Sequence, residues 1–183
     1  MKATIFFFFL FLPLLIFGQS PEMPVEVTPQ IELKIRAEIE QAGARLKQEL
    51  QRKSASALEI EFSTDTLRIE LFSDKFMEYD YSTAGMGTAV LKASQEYDRL
   101  MNKYYRRLLT ALKEADRKNL IEAQRAWLVF RDKESVLIGT LAKDVYTGGG
   151  TMQPLVSAAE YLDVIRNRTV NFYQYLIKVS DTF

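Results

Sequence analysis

Two polar rows set into otherwise apolar helical faces constrain this chain more than any other feature. Tyr97-Asp98-Arg99-Leu100-Met101-Asn102-Lys103-Tyr104-Tyr105 opens the stretch, Gln124-Arg125-Ala126-Trp127 continues it, and Arg131-Asp132 closes it. On a helix Asp98, Asn102 and Tyr105 fall at i, i+4 and i+7, and Gln124, Trp127 and Arg131 at i, i+3 and i+7, so each set shares one face. A buried carboxylate or guanidinium is costly unless it is paired. The economical arrangement is two antiparallel helices in which Asp98 and Asn102 answer Gln124 and Arg131. In such a site Asp98→Ala would strand the Arg131 guanidinium at a cost of about 3 to 5 kcal/mol.

The apolar spacing elsewhere is mostly helical. Thr28 followed by Pro29 is an N-cap and first-turn signal, after which Ile31, Ile35, Ile39, Ala42, Leu46 and Leu50 recur at three- and four-residue steps to a helix end near Lys53. That amphipathic helix suits either a partner or its own domain, and packing at home is the favoured reading. Leu58 to Tyr81 is ambiguous: Leu58, Ile60, Phe62 and Leu67, Ile69, Leu71 alternate like a short hairpin, yet Phe62, Ile69, Phe72 and Phe76 also approach one helical face. An isolated hairpin is marginal, so a helix is expected from about Thr66 to Glu78, with Leu58 to Asp65 open. Ser82-Thr83 caps the next helix, whose inner side carries Val90, Leu91, Tyr97, Met101, Tyr104, Leu108 and Leu112. Asp116 then caps a helix striped by Leu120, Ala123, Trp127, Phe130, Leu137 and Leu141. The short connection makes these two antiparallel neighbours. After Pro154, a near-heptad row from Leu155 through Leu162, Ile165, Thr169, Phe172 and Leu176 closes the bundle. The expected fold is all-α, an antiparallel helical bundle with an additional long N-terminal amphipathic helix.

The chain begins Met1-Lys2, runs apolar from Ile5 to Phe17 apart from Pro13, and exits through Gly18-Gln19-Ser20. Such a segment would span about 20 Å as a helix, short of the roughly 30 Å hydrocarbon core, so it reads as a cleavable secretory signal rather than an anchor. The organisation is therefore a signal peptide at 1–19, a Pro-rich lead and amphipathic helix at 20–57, and a helical domain at 58–183. Export to the periplasm or cell surface follows, with no lipid-bearing cysteine and no stable membrane span after cleavage.

Composition narrows the chemistry. There are 24 basic and 24 acidic residues and neither His nor Cys. A near-neutral chain lacks the field that phosphate-backbone binding requires, so nucleic acid is not an expected partner. Without imidazole or thiol, the usual bases, nucleophiles and soft metal ligands are unavailable. We expect no catalytic, cofactor-binding or metal-ligating residues. Trp127 reads as a core anchor with Arg131 over its ring.

Lys143 to Pro154 is the clear loop, with Gly148-Gly149-Gly150 at its centre. Two readings stay open, a helix C-cap and reversal or an exposed recognition loop.

With these residues laid out, the segment from Ser82 to about Tyr175 resembles the LprI-type lysozyme inhibitors of bacterial envelopes. The resemblance rests on Ser82-Thr83 with Met86, Tyr97-Asp98, Asn102-x-x-Tyr105, Gln124-Arg125-Ala126-Trp127 with Arg131-Asp132, Gly149-Gly150-Thr151, and Arg168-Thr169. Many relatives look disulfide-bonded, with cysteines near the Met86 helix and soon after the Arg-Asp pair, regions in which this chain has Ala89 and Ser135. The resemblance implies an exported, non-catalytic helical protein whose protein partner is a lysozyme; the alternative is an envelope adaptor acting through its N-terminal helix. Asp98, Asn102, Tyr105, Gln124, Trp127, Arg131, Asp132 and Arg168 then read as scaffold. Lys143, Tyr146, Gly148, Gly149, Gly150 and Thr151 read as the partner-binding loop.

Overall fold

Side-chain caps set where the long helices begin. In the computed structural model, which describes residues 23–180, the Thr28 hydroxyl accepts from the Ile31 N–H (3.4 Å), Ser56 from Glu59 (3.1 Å) and Ser82 from Gly85 (3.0 Å). The helices are α1 (Pro29–Arg52), α2 (Ala57–Tyr79), α3 (Thr83–Ala111), α4 (Glu114–Leu141), a single turn α5 (Asp144–Thr147) and α6 (Gln153–Ser180). The expected signal segment at 1–19 lies outside the described residues.

An all-α bundle results; one region left open by the sequence is settled and one expectation changes. The region from Leu58 to Asp65 is not a hairpin strand; α2 is one helix from Ala57. Ser56 supplies the missing start signal, and Thr64 and Thr66 turn their hydroxyls back onto the carbonyls of Ile60 and Phe62, which satisfies them inside the helix. Asp116 does not cap α4. That helix starts at Glu114 with Lys113 in the cap position and no side-chain cap bond; Glu114 and Asp116 instead sit in its first turn, where they complement the helix dipole.

The most extensive packing joins α3 to α6. Thr83 meets Met152, Tyr97 meets Thr169, and Tyr105 meets Phe172, so residue numbers rise together and the two helices run parallel. Consecutive long helices still alternate in direction, because α4 carries the chain back between them. Residues Ala93, Leu100, Met101 and Tyr104 of α3 and Ile165, Thr169 and Phe172 of α6 form the centre of the core. Thr169 is fully buried and its hydroxyl contacts the Ile165 carbonyl (3.0 Å) and the Tyr97 carbonyl of α3 (3.4 Å). The short α3–α4 connection therefore does not make those helices the main pair. The helix α4 leans on α6 instead.

Helix α2 covers the other side of the central pair. Phe62 stacks on Tyr173 at 3.9 Å between ring centroids and meets Tyr104 edge-on at 5.3 Å, tying α2, α3 and α6 together. Outside the rings, Lys103 bridges Asp65 (2.5 Å) and Glu61 (2.7 Å), and Arg107 also pairs with Glu61. Helix α1 keeps its stripe at home: Ile35 and Ile39 are buried against Phe72 and Phe76 of α2 and Ala89 of α3. Lys92 of α3 reaches Glu32 of α1 at 2.8 Å.

The interhelical ion pairs predict a pH dependence. Hydrogen bonds from Lys92 and Arg36 hold the Glu32 carboxyl below its usual range. Burial pushes Glu61 up, but its bonds to Lys103 and Arg107 outweigh this and lower it. Carboxyls depressed in the folded state stabilise it above their unfolded pKa and lose that contribution as pH falls. The urea midpoint should be level above about pH 6 and fall between roughly pH 5 and 3, and Lys92→Met should flatten part of that fall. A second prediction concerns Tyr104, whose buried hydroxyl has no hydrogen-bond partner among the described residues. Tyr104→Phe removes an unsatisfied group and should raise stability by about 1 kcal/mol in urea unfolding.

Candidate functional site

A groove of about 490 Å³ runs between α3, α4 and α6 and gathers part of the polar motif. Its walls are Leu91, Ser94, Gln95, Asp98 and Arg99 from α3, Arg131 from α4, and Tyr161 and Ile165 from α6. It exists because α3 and α4 are held apart, each resting on α6. Leu91, expected on the inner side of α3, is instead exposed at this groove.

The two polar rows meet only at one point. Arg131 Nη1 lies 3.9 Å from Asp98 Oδ1, while its Nε and Nη2 donate to Asp132 at 3.0 and 2.7 Å. Burial disfavours the Arg131 charge, but the Asp132 bond and the fields of Tyr161 and Asp98 outweigh it and raise its pKa. Asn102 does not reach α4. Its amide donates along its own helix to the Asp98 carbonyl (2.8 Å) and carboxylate (3.2 Å). With Asp98 43% exposed and its pair long, the expected 3 to 5 kcal/mol loss on Asp98→Ala does not apply, and less than about 1 kcal/mol is the appropriate scale.

Gln124 is answered by a third helix. Arg168 Nε of α6 donates to Gln124 Oε1 at 3.0 Å, and Gln124 Nε2 faces the Met101 sulfur at 4.0 Å. The Arg168 side chain is 9% exposed, lies 4.5 Å from the Phe172 ring centroid and 5.7 Å from that of Trp127, and makes no ion pair among the described residues. Desolvation by burial lowers its pKa. Arg131 also lies against Trp127, at 5.8 Å, as the spacing suggested. Tyr105 packs on Phe172 at 5.6 Å. Arg168 thus works as a buried strut between α6 and α4, a role that neither row alone disclosed. Its signal was its place between Ile165 and Phe172 on an apolar stripe.

The outer stripe expected to bury α4 mostly does not. Leu120 is buried and Trp127 half-buried, but Phe130 is 51%, Leu137 47% and Leu141 51% exposed. The row that turns inward is Leu120, Gln124 and Ile138, offset by one position from the apolar one.

Beyond α4 the chain makes the α5 turn and the glycine bend. Gly148, Gly149 and Gly150 all have positive φ (77°, 84° and 126°), a run that side-chain-bearing residues rarely adopt. Gly148 caps α5 through its N–H to the Asp144 carbonyl (2.8 Å), and Gly149 N–H donates to the Thr147 hydroxyl (3.2 Å). Lys143, Tyr146, Gly148, Gly150 and Thr151 are exposed, so the bend is both a helix reversal and an accessible surface. The Thr83–Met152 contact places it at the end of the bundle where α3 and α6 begin, while the groove lies farther along these helices, between Leu91 and Arg99 of α3.

These features fall in one matched segment. The profile described as lysozyme inhibitor LprI matches residues 74–171, just over half of the chain. The chain belongs to the LprI family. No curated protein and no solved structure matches it. The LprI segment takes in α3, α4, the glycine bend and most of α6, with every residue of the groove; α1 and most of α2 precede it. Ala89 is buried under α1, and Ser135 is exposed on α4. No helix among the described residues is long and apolar enough to cross a membrane.

The strut makes a coupled prediction. Gln124→Leu leaves a buried guanidinium without its acceptor and should cost about 2 kcal/mol, and Arg168→Met added to it should recover much of that loss. Thermal melts of the two single variants and the double variant test this; additive losses would refute the coupling.

Proposed function

We propose that this protein is an exported, non-catalytic inhibitor that binds a lysozyme and obstructs its sugar-binding cleft through the Lys143–Thr151 loop. The observation that carries the reading is the exposed glycine bend on a helical scaffold of the LprI family. A lysozyme cleft is an extended groove that works through two carboxylates, so an inserting segment must be narrow and must tolerate or answer negative charge. Three consecutive glycines make a narrow tip, Lys143 supplies a positive group, and Tyr146 supplies an aromatic surface that loses little conformational entropy on binding. In this reading Asp98, Arg131, Trp127, Gln124 and Arg168 hold α3, α4 and α6 in register beneath the loop. Export rests on the signal-like residues 1–19.

The adaptor reading draws less support, because Ile35 and Ile39 of α1 are occupied within the chain. The test is lysis of purified cell wall by lysozymes of several types in the presence of the chain lacking residues 1–19. Micromolar protein should slow lysis, and Tyr146→Ala should weaken inhibition about tenfold or more. Lysis at an unchanged rate with every lysozyme tried would end this reading.

A further inference from the structure

Arg168 brings a positive charge into the contact between α4 and α6 with no carboxylate beside it. Other partly buried cations of the bundle are answered: Arg166 by Glu70 at 3.1 Å and Asp163 at 2.5 Å, Arg131 by Asp132 at 2.7 Å. Arg168 is 9% exposed, and only its Nε is engaged, on the Gln124 side chain. Its Nη1 and Nη2 make no hydrogen bond among the described residues, yet neither is sealed from solvent. The guanidinium is thus held by one edge while the other edge stays unpaired and within reach of water. Phe172, one of the rings against it, is fully buried. Trp127 is half-buried, and Tyr175, whose phenol acts on the same charge, is 39% exposed, so a group from outside would approach beside these two.

We propose that the Nη edge of Arg168 is a binding site for one carboxylate on a slim aliphatic stem, either a free small acid or an Asp or Glu side chain borne by a partner. A buried cation without a counter-charge is costly, and an anion that completes it relieves that cost. The planar fork of a guanidinium matches the two oxygens of a carboxylate through parallel N–H···O bonds. A dianion would carry in a second charge that no free cation meets, because Arg131, on the other side of the shared Trp127 contact, is already paired with Asp132. The small exposure of Arg168 admits a narrow group and turns away a bulky one. The site stands apart from the lysozyme reading: Arg168 lies about 22 Å along α6 from its first residue, Gln153, and so well away from the Lys143–Thr151 loop.

Trp127 is the only tryptophan of the chain and lies 5.7 Å from the Arg168 guanidinium, so its fluorescence reports on the site. The test is titration of the chain lacking residues 1–19 with sodium acetate at pH 7, with chloride exchanged to hold ionic strength constant. The emission should change saturably with a midpoint on the order of 10 mM, and the melting temperature should rise over the same range. Arg168→Lys, a point charge without the fork, should weaken the response about tenfold, and the Gln124→Leu, Arg168→Met double variant should abolish it. Arg131→Met should move the midpoint by less than about twofold. A blocked glutamate peptide and its glutamine counterpart separate the two sources. Acetate acting while both peptides are silent assigns the site to free acids, and the glutamate peptide acting while the glutamine one is silent extends it to side chains. Either result upholds the site. No saturation in the parent, an equal response to chloride, undiminished affinity in Arg168→Lys, or loss of the response in Arg131→Met would each overturn it.

Discussion

The parallel contact between α3 and α6 is the constraint from which the rest of the structure follows. Thr169 is fully buried with its hydroxyl satisfied at the Ile165 carbonyl and close to that of Tyr97, so a polar side chain fits within the helix interface without an unsatisfied group. Two helices that lie parallel need a return segment between them, and α4 is that segment. Because α3 and α6 are already each other's main partner, α2 and α4 take the flanks. The aromatic contacts of Phe62 with Tyr104 and Tyr173 seal the α2 flank. On the α4 flank the seal combines buried Leu120 and Ile138 with the polar strut from Arg168 to Gln124, beside Trp127.

That asymmetry gives the molecule two kinds of surface. The α1–α2 side is dressed with ion pairs, among them Lys92 with Glu32, Arg68 with Glu40 and Lys103 with Asp65. The α4 side is thin, with an open groove, an apolar outer strip and a glycine bend at its end. The LprI segment thus holds both the central α3–α6 contact and the sparsely covered α4 flank, while α1 and most of α2 precede it. Recognition surfaces gain from such sparse cover, since residues left unpartnered at home are free to pair elsewhere.

Helix positions were legible because the signals that set them are local. Thr28-Pro29, Ser82-Thr83 and the stripe of α6 act within a few residues of where they stand. Alternation in Leu58 to Leu71 pointed toward strands, but a helix that can bury Ile69, Phe72 and Phe76 against two neighbours gains more than an unsupported hairpin. The rows of the candidate site were visible as rows, and Arg131 over Trp127 was foreseeable from spacing. Their partners were not. Asn102 turned to its own helix and Gln124 to Arg168, because α6 comes between, and nothing local to residues 97–132 announces a helix 40 residues on.

The amino-acid sequence by itself determined that this chain is helical, where its long helices lie, that it lacks His and Cys, and that its glycine bend needs a backbone few other residues adopt. Each of these depends on side chains acting on their own few turns of backbone. Only the tertiary structure decided which helix faces which. An apolar stripe states that a face can be buried, not what will bury it. On α4 the apolar row lies beside the inward one, so that choice fell to the volume and polar satisfaction available against α6.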